Sequence, residues 1–273
     1  MQTPAEKELV EVVASFLRKS EDKPCRLLNA GAGRSLIIEN ELVKKGCPYT
    51  CDRLDIDDCD VSHPNVENCH CGCSVERMEP IESGSYDLVF SNYLLEHVEH
   101  VDAAASEMSR VLKPGGLFVA SVPNPTALEF MVAKRTSLSI HRWLRGGFGW
   151  QTYYSYPSIG ALTDVLRQAG LEPFKVTYYP CVVQYVEKVP VLRCLGALYD
   201  RFIALIGWNR LMGNVCVTAR KVQGWEELSQ GVEDESSALT SQAPLDADRR
   251  RMQITRMRRS GPKFPRIPTD YNA

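Results

Sequence analysis

Apolar residues recur at helical spacing near the start of the chain. Leu9, Val12, Val13, Phe16 and Leu17 define one face of an amphipathic helix over residues 5–19. A short apolar run, Arg26-Leu27-Leu28, then reads as a strand that enters the turn Asn29-Ala30-Gly31-Ala32-Gly33. A helix over Leu36 to Lys45 ends at Gly46, a residue suited to a C-terminal cap. A second strand over residues 49–56 ends in Leu54-Asp55-Ile56. Cys69 to Val75 reads as a weaker third strand, and Tyr86 to Ser91 as a fourth. The helix Ala103 to Leu112 stops at Lys113-Pro114-Gly115-Gly116, and Leu117 to Val122 forms a fifth strand. A helix over Pro157 to Ala169, capped by Gly170, precedes strands at Glu172–Tyr179 and Asn214–Ala219. Strands alternating with helices predict a parallel sheet covered on both faces.

Three stretches depart from that rhythm. Residues 124–157, with Trp143, Trp150 and the run Tyr153-Tyr154-Ser155-Tyr156, read as an insertion or lid. Their tyrosines either pack or line an acceptor pocket. Val191 to Ile206 is an amphipathic helix with Leu192, Leu195, Tyr199, Phe202 and Ile206 on one stripe. Packing against the sheet or a partner chain is expected for it, with a membrane surface or a lipid-linked acceptor as the alternative. Beyond about residue 223, Ser, Asp, Glu and Arg dominate. The expected organisation is one domain over residues 1–223 and a disordered tail over 224–273.

The chain has 273 residues, 44% of them hydrophobic, which is enough for one large α/β core without disulfides. A formal net charge of -2 argues against a nucleic-acid binder, and the Arg-rich stretch Arg249 to Arg259 lies in the tail. The start of the sequence has no apolar core of a signal peptide, and no run reaches the roughly 18 apolar residues of a spanning helix. A cytoplasmic protein without stable membrane insertion is expected. Its ten cysteines then read as reduced thiols. Cys51, Cys59, His63, Cys69, Cys71 and Cys73 are numerous enough for zinc. They contain no Cys-x-x-Cys pair, however, and the alternation of the last three fits one face of a strand. No metal site is expected.

The candidate chemistry starts at the glycine turn. Gly31 and Gly33 let backbone amides approach a ligand at the N-terminus of the following helix. A dinucleotide fingerprint would need a third glycine at position 36, which is Leu36. An acid at the end of the second strand can accept hydrogen bonds from ribose hydroxyls. Asp52 and Asp57 compete for that role, but Asp55 directly follows the apolar Leu54.

Read together, Asn29-Ala30-Gly31-Ala32-Gly33, Leu54-Asp55-Ile56-Asp57, Ser85-Tyr86-Asp87-Leu88-Val89, Leu95-Glu96-His97-Val98, Arg110 to Gly116 and Ser121-Val122-Pro123-Asn124-Pro125 occur in one order. This set resembles the class I S-adenosylmethionine-dependent methyltransferases, in particular the type 11 group. The resemblance covers about residues 25–125, with a further likeness at Ala169-Gly170-Leu171-Glu172. It implies a Rossmann-like, doubly wound seven-stranded sheet, mostly parallel with an antiparallel last strand.

The resemblance also implies S-adenosylmethionine as cofactor, with Asn29, Ala30, Gly31 and Gly33 around its methionine part and Asp55 on its ribose. Cys73 or Ser74 stands where the family usually has an adenine-contacting acid, and Asn29 also replaces a common acid. Asn92, at the tip of the fourth strand, is expected to face the methyl group and acceptor. Alignment of nucleophile, methyl and sulfur supplies most of the catalysis of such a displacement. A base is needed only where the acceptor must lose a proton, and His97 and His141 are the candidates. His97 is equally a residue of a loop hydrogen bond.

The expected activity is methyl transfer to a small-molecule or lipid-type acceptor, with oligomeric state left open. The competing readings are a non-catalytic binding or scaffold protein of the same fold, and a nicotinamide-dependent oxidoreductase.

Overall fold

The computed structural model describes residues 2–20, 24–127, 130, 152–186 and 190–224. The chain divides into two units, Met1–Gln223 and Gly224–Ala273. All elements below belong to the first. The expected disordered tail, His141 and most of the expected lid lie outside the described residues.

Helix α1 (Pro4–Lys19) begins with a capping box, in which the Glu6 amide donates to Thr3 Oγ1 at 3.1 Å and the Thr3 amide to Glu6 Oε2 at 2.6 Å. It is followed by β1 (Cys25–Ala30), α2 (Ile37–Lys44), β2 (Tyr49–Asp55), β3 (Val66–Cys71) and β4 (Tyr86–Asn92). A short 3₁₀ turn (Leu95–His97) leads to α3 (Val101–Val111) and β5 (Leu112–Pro123). The second half holds α4 (Ile159–Gln168), β6 (Leu171–Tyr179), α5 (Val182–Val186), α6 (Pro190–Ile206), a 3₁₀ turn (Asn209–Leu211) and β7 (Asn214–Lys221).

The sheet has seven strands in the order β3-β2-β1-β4-β5-β7-β6. Every pairing among β1 to β5 is parallel, and β7 runs antiparallel to both β5 and β6. This is the expected doubly wound α/β architecture. Strand order reverses at β1/β4, so the carboxyl ends of those strands open a crevice, the usual ligand position in such sheets.

Two apolar cores cover the sheet faces. On one, Leu9, Val13 and Leu17 of α1 and Leu42 of α2 pack against Leu27, Leu88 and Val119. On the other, Ala104, Ala105 and Met108 of α3 and Leu162 and Leu166 of α4 pack on Leu28, Val89 and Phe118. Each fully buried leucine contributes about 1.5–3 kcal/mol, and together they make the sheet a rigid platform for its loops.

Two boundaries differ from the sequence pattern. The third strand is Val66–Cys71, an edge strand, and Cys73 lies past its end. Cys69 and Cys71 lie two apart on this strand, but Cys73 does not share their face: it is buried in the following turn. Strand β5 runs continuously through Lys113-Pro114-Gly115-Gly116, with Gly115 at φ 76° and a register shift opposite Tyr86/Leu88.

The larger correction concerns α6. Its apolar stripe does not pack on the sheet: Leu195 and Phe202 are more than half exposed, and Ile206 is exposed as well. The helix turns Ile203 inward instead and rests on α5 and the Asn209–Leu211 turn. A helical apolar period shows which side chains share a face, but not whether that face meets the core.

Candidate active site

The turn after β1 carries the central geometry. Gly31 has φ 72° and Gly33 φ 52°, a left-handed conformation that glycine adopts without a Cβ clash. The Gly31 and Ala32 amides donate to the Leu54 carbonyl at 2.8 and 3.1 Å, which ties the turn to the end of β2. The Gly33 amide donates to Asp55 Oδ2 at 2.8 Å, and Asp55 Oδ1 accepts the Asp57 amide at 2.9 Å. The carboxylate is thus oriented by two backbone donors and stays partly exposed, with lone pairs left for a ligand hydroxyl. A Cβ on Gly33 would meet nothing within 4 Å, so the floor is open above this residue. A Cβ on Gly31 would lie 2.5 Å from Leu94 Cδ1, so the loop after β4 closes against the turn.

The other two acids that compete for the ribose role are placed elsewhere. Asp52 is fully buried and accepts from Arg26 (2.8 Å), Tyr86 Oη (2.7 Å) and Asn68 (2.9 Å). Asp57 is exposed beyond the strand.

Behind the turn lies a buried network. Arg53 is fully buried on β2 and donates through one terminal nitrogen to the carbonyls of Ala32 (3.1 Å), Gly33 (3.0 Å) and Ser35 (2.9 Å). Its other terminal nitrogen pairs with Glu39 Oε1 on α2. Asn29 Nδ2 donates to the same Glu39 oxygen at 2.8 Å. Asn29, Arg53 and Glu39 thus hold the turn from the inside, and three carbonyls on one guanidinium fix its curvature. Arg53 and Glu39 were not among the sequence candidates. No local signal marks them: Arg53 directly follows Asp52, and Glu39 precedes Asn40 and Glu41, so both read as solvated polar positions.

The Cys73 amide donates to the Asp55 carbonyl at 3.0 Å, which sets the Cys73-Ser74 turn beside the carboxylate. Ser74 Oγ accepts the Glu76 amide at 3.1 Å. Burial pushes the Cys73 thiol above its ordinary pKa, so the group stays neutral. Nearby, Cys59 and Cys71 lie Sγ to Sγ at 3.4 Å, and burial pushes Cys59 up to about 12. Among the described residues, no three of His, Cys, Asp and Glu gather in a metal-binding arrangement.

Ala30 is fully buried at the end of β1. Asn92 lies beside it, at the tip of β4. Its Nδ2 donates to Glu6 Oε1 at 2.9 Å and its Oδ1 accepts from Ser121 Oγ. The same Glu6 that caps α1 therefore positions Asn92. Tyr93 follows at φ 52°, with Oη 2.8 Å from Thr3 Oγ1.

His97 is partly exposed, with Nε2 3.9 Å from Glu96 Oε1. The last residues of the expected lid pack here. The Tyr153 and Tyr154 amides donate to the Glu96 carbonyl, and Ser155 Oγ to the Val98 carbonyl at 2.6 Å. Tyr156 is buried and donates to the Pro123 carbonyl at 3.3 Å. Burial raises its phenol well above the usual range. The tyrosine run is thus divided: Tyr156 belongs to the core, whereas Tyr153 is exposed.

On the same carboxyl edge, a cavity of about 400 Å³ is lined by Asn124, Thr126, Ser158, Ile159, Tyr178 and Arg210, with Gly160. Asn124 is buried, and its Nδ2 donates to the carbonyls of Met212 (2.8 Å), Asn209 (3.2 Å) and Arg210 (3.3 Å). That side chain fixes the Asn209–Leu211 turn as one wall.

Residues 28–120 match the model of a family described as a methyltransferase domain. The chain carries a class I S-adenosylmethionine-dependent methyltransferase domain of the type 11 group. This domain spans β1 to most of β5 and includes the glycine turn, Asp55 and Asn92.

Among curated relatives, the chain is 29% identical to "Arginine-hydroxylase NDUFAF5, mitochondrial" of Danio rerio over 67% of this chain and 55% of that protein. It is 34% identical to a ubiquinone biosynthesis O-methyltransferase of Cereibacter sphaeroides over 32% and 35% of the two chains. The match to the Bradyrhizobium protein of the same description is 30% over 50% and 57%. The chain thus spans between about a third and three fifths of these relatives.

A candidate sarcosine dimethylglycine methyltransferase from Galdieria sulphuraria shares the fold, with a TM-score of 0.51 at 18% identity over 80% of this chain and 85% of that one. A geranyl diphosphate methyltransferase bound to GPP and sinefungin does so with a TM-score of 0.50 at 17% identity over 79% and 78%. Among the described residues, no helix is long and apolar enough to cross a membrane.

Proposed function

We propose that this protein transfers a methyl group from S-adenosylmethionine to a hydroxyl or related nucleophile on a small-molecule or lipid-type acceptor. The observation that carries the reading is the Gly33–Asp55 pair: an open glycine floor whose amide orients a partly exposed carboxylate at 2.8 Å. The similarity to ubiquinone biosynthesis O-methyltransferases supports an acceptor of that chemical kind.

In this reading Asn29, Ala30, Gly31 and Gly33 form the methionine side of the site, and Asp55 accepts from the ribose hydroxyls. Backbone groups of Cys73-Ser74 meet the adenine edge. When bound, the cofactor supplies an electrophilic methyl on a sulfonium with a neutral leaving group. The protein's work is then alignment, which can contribute about 7–11 kcal/mol in the best intramolecular cases. Asn92, held from both sides by Glu6 and Ser121, defines the wall toward the acceptor. The cavity at Asn124 and Arg210 receives the acceptor. His97 is the base for an acceptor that must lose a proton, with Glu96 beside it to stabilise the imidazolium.

Calorimetric titration with S-adenosylmethionine and S-adenosylhomocysteine, beside Asp55→Ala, tests the cofactor half. Release of S-adenosylhomocysteine with a catechol or polyprenyl-phenol acceptor tests the transfer. Micromolar binding lost in the variant supports the reading, and absence of binding by folded protein overturns it in favour of a non-catalytic binding protein. A second reading, arginine hydroxylation, is favoured by the Danio rerio relative, whose match covers 67% of the chain. Mass analysis of an arginine-containing peptide separates the two, because hydroxylation adds one oxygen and methylation one CH₂.

A further inference from the structure

Helix α6 presents an apolar surface that the other described residues leave exposed. Val191, Leu195, Leu198, Phe202, Leu205 and Ile206 are 38–85% exposed, with Leu205 the most open. At 3.6 residues per turn these six side chains fall within an arc of roughly 100°. Trp208, just past the helix, is 57% exposed and extends the surface.

Among the described residues from 190 to 211, the charge beside this surface is positive. Arg201 lies at the edge of the arc and Arg210 follows the helix, and both are exposed, whereas Arg193 falls on the opposite side of the helix beside Asp200. The single acid between residues 190 and 211 is Asp200, and it is turned away. Its two oxygens accept the Val182 and Val183 amides at 3.1 and 3.0 Å and lock α6 onto α5. An apolar face with Phe202 and Trp208, flanked by Arg201 and Arg210 and faced by no carboxylate of residues 190–211, complements an anionic lipid interface. Among the described residues no helix can span a bilayer, so the contact is with its surface.

The position of the helix gives the contact a purpose. α6 connects β6 to β7 on the carboxyl edge of the sheet, and Arg210, four residues past its end, lines the cavity beside Asn124.

We propose that α6 docks the protein on an anionic membrane surface, with the apolar arc at the acyl boundary and Arg201 at the phosphates, and so brings the Asn124–Arg210 cavity to the lipid. The consequence for an acceptor rests on the methyl-transfer reading; the docking does not.

The test is flotation of the full chain with phosphatidylcholine vesicles, with and without phosphatidylglycerol. It is run beside Leu198→Glu/Phe202→Glu and Arg201→Glu, whose side chains are exposed, with circular dichroism as the check on folding. The expected result is binding to the anionic vesicles, weakened at least ten-fold in the double variant. Arg201→Glu weakens it less, and raised salt removes its share. Blue-shifted Trp208 emission, absent in Trp208→Phe, accompanies binding.

Failure to float with either vesicle overturns the proposal. Binding that survives in the double variant also overturns it and assigns the contact to another segment, such as the arginine-rich stretch near residue 250. A dimer dispersed by the double variant, without vesicle binding, gives the face to a second copy and overturns it as well. None of these readouts depends on catalysis, so failure of docking and failure of methyl transfer are separable.

Discussion

Arg53 and Glu39 form an ion pair with both side chains shut from solvent, and the guanidinium of that pair holds three carbonyls of the glycine turn. A buried pair of this kind adds little net stability over an apolar replacement, but removal of one partner strands a charge at a cost of about 3–5 kcal/mol. Glu39→Ala is therefore expected to lower the unfolding free energy by that order, and Glu39→Gln by less, because an amide oxygen still accepts from Arg53. Denaturant unfolding of the three proteins measures the difference. Cofactor affinity should fall in the same order as the turn loosens.

Asp55→Ala separates binding from folding. The carboxylate is partly exposed and its partners are the neutral amides of Gly33 and Asp57, so its loss leaves no buried charge behind. A hydrogen bond to a charged group contributes about 1.5–3 kcal/mol, so affinity for S-adenosylhomocysteine is expected to fall about 10- to 100-fold with little change in Tm. A large drop in Tm with unchanged affinity would move the ribose contact to another residue.

The two glycines respond differently to alanine. Both positive φ values cost about 1–2 kcal/mol in an L-residue. At Gly31 the methyl also drives into Leu94, an overpacking cost of about 1–3 kcal/mol. At Gly33 it enters open space. Gly31→Ala should thus be the less stable protein, and Leu94→Ala should recover part of its loss. Gly33→Ala should lose more cofactor affinity than stability.

Acid should weaken the packing of α3. The Arg110 guanidinium, with help from the Met78 amide at 2.6 Å, holds the Glu107 carboxyl below its ordinary pKa. The contribution is complete above the unfolded glutamate value and is lost as pH falls through the depressed folded value. Comparison of Tm against pH with Glu107→Gln should show wild type more stable at neutral pH and the two curves converging in acid. Parallel curves would remove Glu107 from the acid response.

The period of apolar residues and the punctuation by Gly and Pro determined the elements of this protein and their α/β alternation. Local spacing also determined that a glycine turn precedes a helix and that an acid ends the second strand, because both depend on near neighbours. Asp52 and Asp55 stand on the same strand, and the fold separates them: Asp52 points inward to Arg26 and Tyr86, whereas Asp55 stays partly exposed at the strand's end.

Only the tertiary structure decided which long-range partners meet. Arg53 and Glu39 come from different elements, and their pairing has no signature in spacing. Glu6 meets Asn92 across 86 positions because α1 docks on the tip of β4. The exposure of α6 was equally hidden. A helical apolar stripe reads the same whether its face meets a sheet or solvent, since burial depends on what the rest of the chain places opposite it.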